Sequence, residues 1–144
     1  MLKKVILINN FLIGVNMQEL NFDLKAEEGR IKIIMKAIML GNDLCVIVSG
    51  GDSFHIGCTI LSIPRPSLND KNIISSTESV LNLIGHKDDE ALKIVSHTLS
   101  SKLNKNVVVT GGIHVDDITK EEIKTVIKLL KELTDKLIIK VKTI

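Results

Sequence analysis

The chain has 144 residues, a formal net charge of +2 and 44 % apolar residues, of which only 2 % of the chain are aromatic. That length and apolar content fit one domain with a real core, taken here as residues 1–144. The near-neutral charge, the scattered lysines and the absence of Trp and Tyr argue against a nucleic-acid reader, which needs a basic footprint or aromatic stacking platforms. No apolar run reaches the roughly 18 residues that a membrane span needs, so no membrane association is expected.

Met1-Leu2-Lys3-Lys4 and Val5 to Ile8 look like the start of a leader, but the apolar stretch stops at Asn9-Asn10 without a small-residue cleavage site, and no signal peptide is read. Residues Lys3 to Asn21 suggest one or two strands. Glu27-Glu28-Gly29 makes a turn. From Arg30 to Leu40 the alternation of Ile31, Ile33 and Met35 with Lys32 and Lys36 favours a long strand, with Met and Ala leaving a helix open. Gly41-Asn42-Asp43 is a turn, Leu44 to Val48 a short strand, and Ile56 to Ile63 the next, ended by Pro64-Arg65-Pro66. Short turns between successive strands predict an antiparallel meander.

Ser67 to Gly85 is polar, with a short helix suggested around Thr77 to Leu83. Leu92, Val95, Leu99 and Leu103 behind Asp88-Asp89 describe one face of an amphipathic helix with an acidic start. Asn106 to Thr110 reads as a buried strand. Thr119-Lys120-Glu121-Glu122 is a capping box, and Ile123, Val126, Ile127, Leu130 and Leu133 give the helix behind it an apolar stripe. Leu137 to Val141 suggests a final edge strand. The order predicts an α+β two-layer sandwich: a mostly antiparallel sheet built as a strand meander and then helix-strand-helix, with two long helices on one face. Cys45 and Cys58, inside apolar runs, read as buried reduced thiols, which favours the cytoplasm.

Three segments interrupt the packing pattern: Ser49 to Gly57, Gly85 to Asp89 and Thr110 to Asp117. Each combines Gly, His and Asp where a strand ends or a helix begins, the junctions at which binding residues collect. Glycine lets a ligand approach the backbone, and helix N-termini favour anions. Asp89 and Asp117 also suit ordinary N-caps. His55, His86 and His114, with Asp52 or Asp116, would suit a divalent metal, although no pair has compact ligand spacing. Ser49, Ser53 and Ser75 lie in no nucleophile elbow, and neither glycine segment is a dinucleotide or triphosphate loop, so no catalytic residue is assigned. His55, His86 and His114 are expected to converge on one pocket.

Gly50-Gly51-Asp52-x-x-His55-Ile56-Gly57 resembles the G-G-D-x-P-H-I-G segment of the LpdD-like prenylated-flavin chaperones. Gly85-His86-Lys87-Asp88-Asp89 is similar to that family's G-H-K-D-D, and Gly112-Ile113-His114-Val115-Asp116 to its G-I-H-V-D. The resemblance runs over roughly residues 28 to 130 with the motifs in order. Phe54 stands where proline is expected, and Asp117 where Asn is frequent. The resemblance implies an accessory protein rather than an enzyme with its own catalytic apparatus. It would bind prenylated FMN, or FMN, and deliver it to a UbiD-class decarboxylase. The expected cofactor-binding residues are Gly50, Gly51, Asp52, His55, Arg65, His86, Lys87, Asp88, Gly111, Gly112, His114 and Asp116; the residues themselves suggest that the glycine loops and helix N-termini hold the phosphate, with Lys87 or Arg65 pairing with it. A small metal-dependent enzyme using the His and Asp clusters, and a purely structural decarboxylase subunit, are the alternatives. The Ile-rich strands, whose faces need cover, predict a homo-oligomer.

Overall fold

A computed structural model describes residues 21–83 and 88–144. In chain order these form β1 (Asn21–Glu28), β2 (Ile31–Leu40), β3 (Asp43–Gly51), β4 (Cys58–Pro66), β5 (Ile74–Asn82), α1 (Asp89–Leu103), β6 (Val107–His114) and α2 (Lys120–Lys142). The strands make one sheet in the order β1-β2-β3-β6-β4-β5. Every neighbouring pair is antiparallel except β3 and β6. Both helices pack on the same face, α1 against β4, β5 and β6, and α2 against β1 and β2. The expected α+β two-layer class is therefore what the chain adopts.

The alternation of the strands explains the layer. Ile31, Ile33, Met35 and Ala37 of β2, Leu44, Val46 and Val48 of β3, Ile60 of β4 and Val107 and Val109 of β6 are all buried beneath the helices. They meet Leu92, Val95 and Leu99 from α1 and Val126, Leu129, Leu130, Leu133 and Leu137 from α2. Ser96 lets α1 approach closely, and its hydroxyl shares a buried hydrogen bond of 2.5 Å with Ser62 of β4. The capping box at the start of α2 forms as expected: Thr119 Oγ1 accepts from Glu122 N–H, and the Glu122 carboxylate accepts from Thr119 N–H.

Several expectations are corrected. The meander stops after β3, because β6 lies between β3 and β4. The valine run Val107-Val108-Val109 suits the centre of the sheet, where Val107 and Val109 are fully buried beneath the helices. The helix suggested around Thr77 to Leu83 is the second half of β5. It reads as polar because it is an edge strand: Ser76 donates to Glu78, and His97 Nδ1 lies 2.8 Å from Ser76 Oγ and 2.9 Å from Glu78 Oε1. The edge strand suggested at Leu137 to Val141 belongs to α2. Leu137 and Val141 extend the buried stripe of Leu130 and Leu133 at helical spacing, and that packing outweighs the strand preference of Ile138 and Ile139. The strands suggested for Lys3 to Asn21 lie outside the described residues except for Asn21, which opens β1. No helix among the described residues is long and apolar enough to cross a membrane.

Candidate functional site

The parallel pairing of β3 with β6 sets the site. It brings the ends of both strands together, Gly51 opposite His114, and β4 begins at the same end because it runs antiparallel to β6. The 52–57 loop, the β1–β2 turn and the starts of both helices all gather there. Two of the three interrupting segments thus meet in space, and Asp88 joins them from the third.

Asp88 is the organising carboxylate. It stands at the N-cap of α1 but makes no side-chain cap bond to the helix. Its Oδ1 accepts instead from Ile113 N–H at 2.9 Å, and its Oδ2 lies 3.1 Å from His55 Nε2. One partly buried side chain therefore ties the helix start to β6 and orients an imidazole. Glycine makes this approach possible. A Cβ at Gly57 would overlap the Asp88 carboxylate, and one at Gly112 would sit 2.5 Å from His55 Nε2. His114 Nε2 lies 3.0 Å from Asp116 Oδ1. The rings of His55 and His114 meet edge to face, with centroids 6.1 Å apart. The expected convergence holds for these two; His86 and Lys87 lie outside the described residues.

Beside the imidazoles is a polar latch that the sequence did not reveal. Arg30, in the β1–β2 turn, donates from Nε to Glu122 Oε1 at 2.7 Å and from Nη2 to Glu122 Oε2 at 3.1 Å and to the Asp116 carbonyl at 2.9 Å. Asp52 accepts from Asp116 N–H at 2.8 Å and lies 3.7 Å from Arg30. Asp52 and Asp116 thus hold the loop around His114. The Arg30 guanidinium pulls the Glu122 carboxyl from its ordinary 4.5 down to about 2. The stability this contributes is complete above pH 4.5 and disappears as pH falls through about 2. Glu122→Gln should accordingly lower the urea midpoint at pH 7, with the deficit shrinking below pH 4.5 and vanishing near pH 2. A deficit that stays constant down to pH 2 would mean that the charge does not matter.

A pocket of about 500 Å³ opens between the first turns of the helices, lined by His55, Asp88, Glu90 and His114 and by an aliphatic wall that includes Ala91, Leu92, Ile118, Ile123, Val126 and Ile127. The size falls within the range of small-molecule sites. Ile123 and Ile127 were counted into the buried stripe of α2, yet Ile123 is 48 % exposed. A stripe wider than the core needs was the available signal for the pocket wall.

The glycines of β3 and β6 serve packing. A Cβ at Gly50 would crowd the Lys32 carbonyl at 2.5 Å, and at Gly51 or Gly111 it would overlap the carbonyl of His114 or of Val48. Gly50, Gly51 and Gly111 are thus used up in strand contacts rather than left as an open cradle. Arg65 is not at this end of the molecule. Ser62 of β4 pairs with Val107, the first residue of β6, so Arg65 lies beyond the opposite edge, where it donates to Thr77 Oγ1 at 2.7 Å. The pairing with a phosphate at this site expected of Arg65 has no geometric basis. Asp117 is not a cap residue either; it adopts φ +49° in the turn before Thr119, the actual N-cap of α2, and Asp89 pairs with Lys93 at 3.1 Å. Among the described residues, no group of three His, Cys, Asp or Glu side chains could hold a metal ion.

The site is thus a mostly aliphatic pocket with two convergent imidazoles at one end of an α+β layer. The family model for the prenylated flavin chaperone LpdD-like domain matches residues 27–142, and the chain belongs to that family. A comparison with curated proteins finds no match. Among solved structures, the chain is similar to the crystal structure of a novel chaperone complex for yeast 20S proteasome assembly, at 10 % identity and a TM-score of 0.46, over 81 % of this chain and 99 % of the other.

Proposed function

We propose that this chain binds prenylated FMN in the pocket between the two helix starts and passes it to a UbiD-class decarboxylase. Membership of the family supports the ligand class. The observation that carries the reading is the His55–His114 pair, with Asp88 and Glu90 beside it, at a pocket whose wall is mostly aliphatic. Imidazoles suit the carbonyl oxygens and ring nitrogens of a flavin, and an aliphatic wall suits the added prenyl-derived ring. The residues present thus fit the group. Asp88 and Asp116 orient the imidazoles, and Asp52 holds the loop that carries Asp116. Arg30 is held by Glu122 and Asp52, so the phosphate falls in this reading to Lys87 and His86, in the segment that precedes Asp88. The pocket contains no aromatic side chain among its described lining apart from the two histidines, which suits a protein that must release its ligand.

Anaerobic titration of the purified chain with prenylated FMN and with FMN tests this. Desalting followed by absorbance should recover stoichiometric prenylated FMN with the protein. Transfer should then appear as activity gained by an apo-decarboxylase on mixing. Failure to retain either flavin would end the reading.

A further inference from the structure

The sheet face opposite the helices carries, beside the charged side chains of β1 and β2, an apolar patch where a solvated face should be polar. Strands with one wet face alternate apolar-in and polar-out. Here Ile38 of β2, Ile47 of β3, and Leu61 and Ile63 of β4 point away from the helices, 41 %, 43 %, 38 % and 49 % exposed. The registers place them together. Ile38, Cys45, Val108 and Leu61 form one row across β2, β3, β6 and β4. Ile47, Thr110, Thr59 and Leu81 form the next, across β3, β6, β4 and β5.

We propose that two copies of this chain pack face to face through this open side of the sheet. Six strands at about 4.8 Å spacing, each about eight residues long at about 3.4 Å per residue, give a footprint of roughly 700 Å² per copy, close to the ~800 Å² per partner of a stable interface. Sheets stacked about 10 Å apart are a standard packing. Charge favours a second copy over a partner with a strong field of one sign. The face also carries Lys25, Lys32 and Lys36 on β1 and β2, with Lys36 opposite Ile47 and 3.5 Å from Asp23, and Asp23, Glu27 and Asp43 on β1 and β3, so a copy of itself meets no net repulsion. The pocket is walled by α1 and α2 in the opposite layer, and this arrangement leaves both pockets open.

Sedimentation equilibrium of the full chain at micromolar concentration should give twice the 15.9 kDa chain mass. Ile47→Asp and Leu61→Asp replace side chains that lie outside the core, and each should raise the dissociation constant at least about a hundredfold, since the interface would bury an unpaired carboxylate. Cys45, in the middle of the face, should react with iodoacetamide slowly in the parent and faster in both variants. Cys58 is the internal control: burial and the nearby Asp88 and Asp89 push its thiol up to about 11, and it should stay unmodified throughout. A single-chain mass for the parent overturns the proposal, as does a dimer that both variants leave intact. Cys45 shielded at a single-chain mass would assign the cover to residues 1–20 and also overturn it. So would shielding that appears only when a decarboxylase is added.

Discussion

The double variant His55→Ala/His114→Ala is expected to bind prenylated FMN roughly a hundredfold more weakly than the parent, while folding normally. Each imidazole is asked to supply one hydrogen bond, worth about 1–1.5 kcal/mol, or close to tenfold in affinity. With ring centroids 6.1 Å apart the two share surroundings, so the single variants need not multiply to the double. The fold should survive, because the His55 and His114 side chains are 20 % and 50 % exposed and neither belongs to the core. Gly112→Ala offers a second route to the same site: its Cβ would press on the His55 ring, so affinity should fall with both histidines still present. Anaerobic absorbance titration, with far-ultraviolet circular dichroism as the control, reads both quantities. Unchanged affinity in a folded double variant would remove the imidazoles from the binding site, and loss of folding would make them structural.

Gly111→Ala should destabilise the fold strongly for a single added methyl. Gly111 lies in the middle of the sheet with φ at +134°, where an L side chain is strained. Its added Cβ would overlap the Val48 carbonyl, a backbone atom within the β3–β6 ladder that cannot rotate away. A loss of at least about 3 kcal/mol is expected, from backbone strain plus disruption of central pairing. Urea unfolding read by circular dichroism measures it. The neighbouring Gly112→Ala presses only on a side-chain ring and should cost clearly less. Equal midpoints for Gly111→Ala and the parent would show that the ladder yields at this point, and Gly111 would return to consideration as a ligand-facing residue.

The two adjacent glycines show how far local reading goes. The motif Gly111-Gly112-Ile113-His114 announced a special place, but not that one glycine serves the sheet and the other an imidazole across 57 residues of chain. Asp88 is similar. The sequence marks it as a site residue, and the fold alone shows that its oxygens go to Ile113 N–H and His55. Arg30 carried no motif, since an arginine after a turn glycine is unremarkable until Glu122 and Asp52 are brought beside it.

What the sequence by itself determined about this protein is what depends on neighbours within a few residues. Alternation in β2, helical spacing in α1 and α2, the Thr119–Glu122 box and the Gly41 turn act over one or two turns of chain, and all appear as expected. The motif residues also identified the family, because they are distinctive types at preserved order. Tertiary structure alone decided which strands pair and therefore what meets at the sheet end. Pairing is governed by total burial across the layer, and no short-range pattern places β6 between β3 and β4. That insertion sets His55 against His114, leaves Arg65 at the far edge, and gathers an apolar patch that no described residue covers on the second face of the sheet.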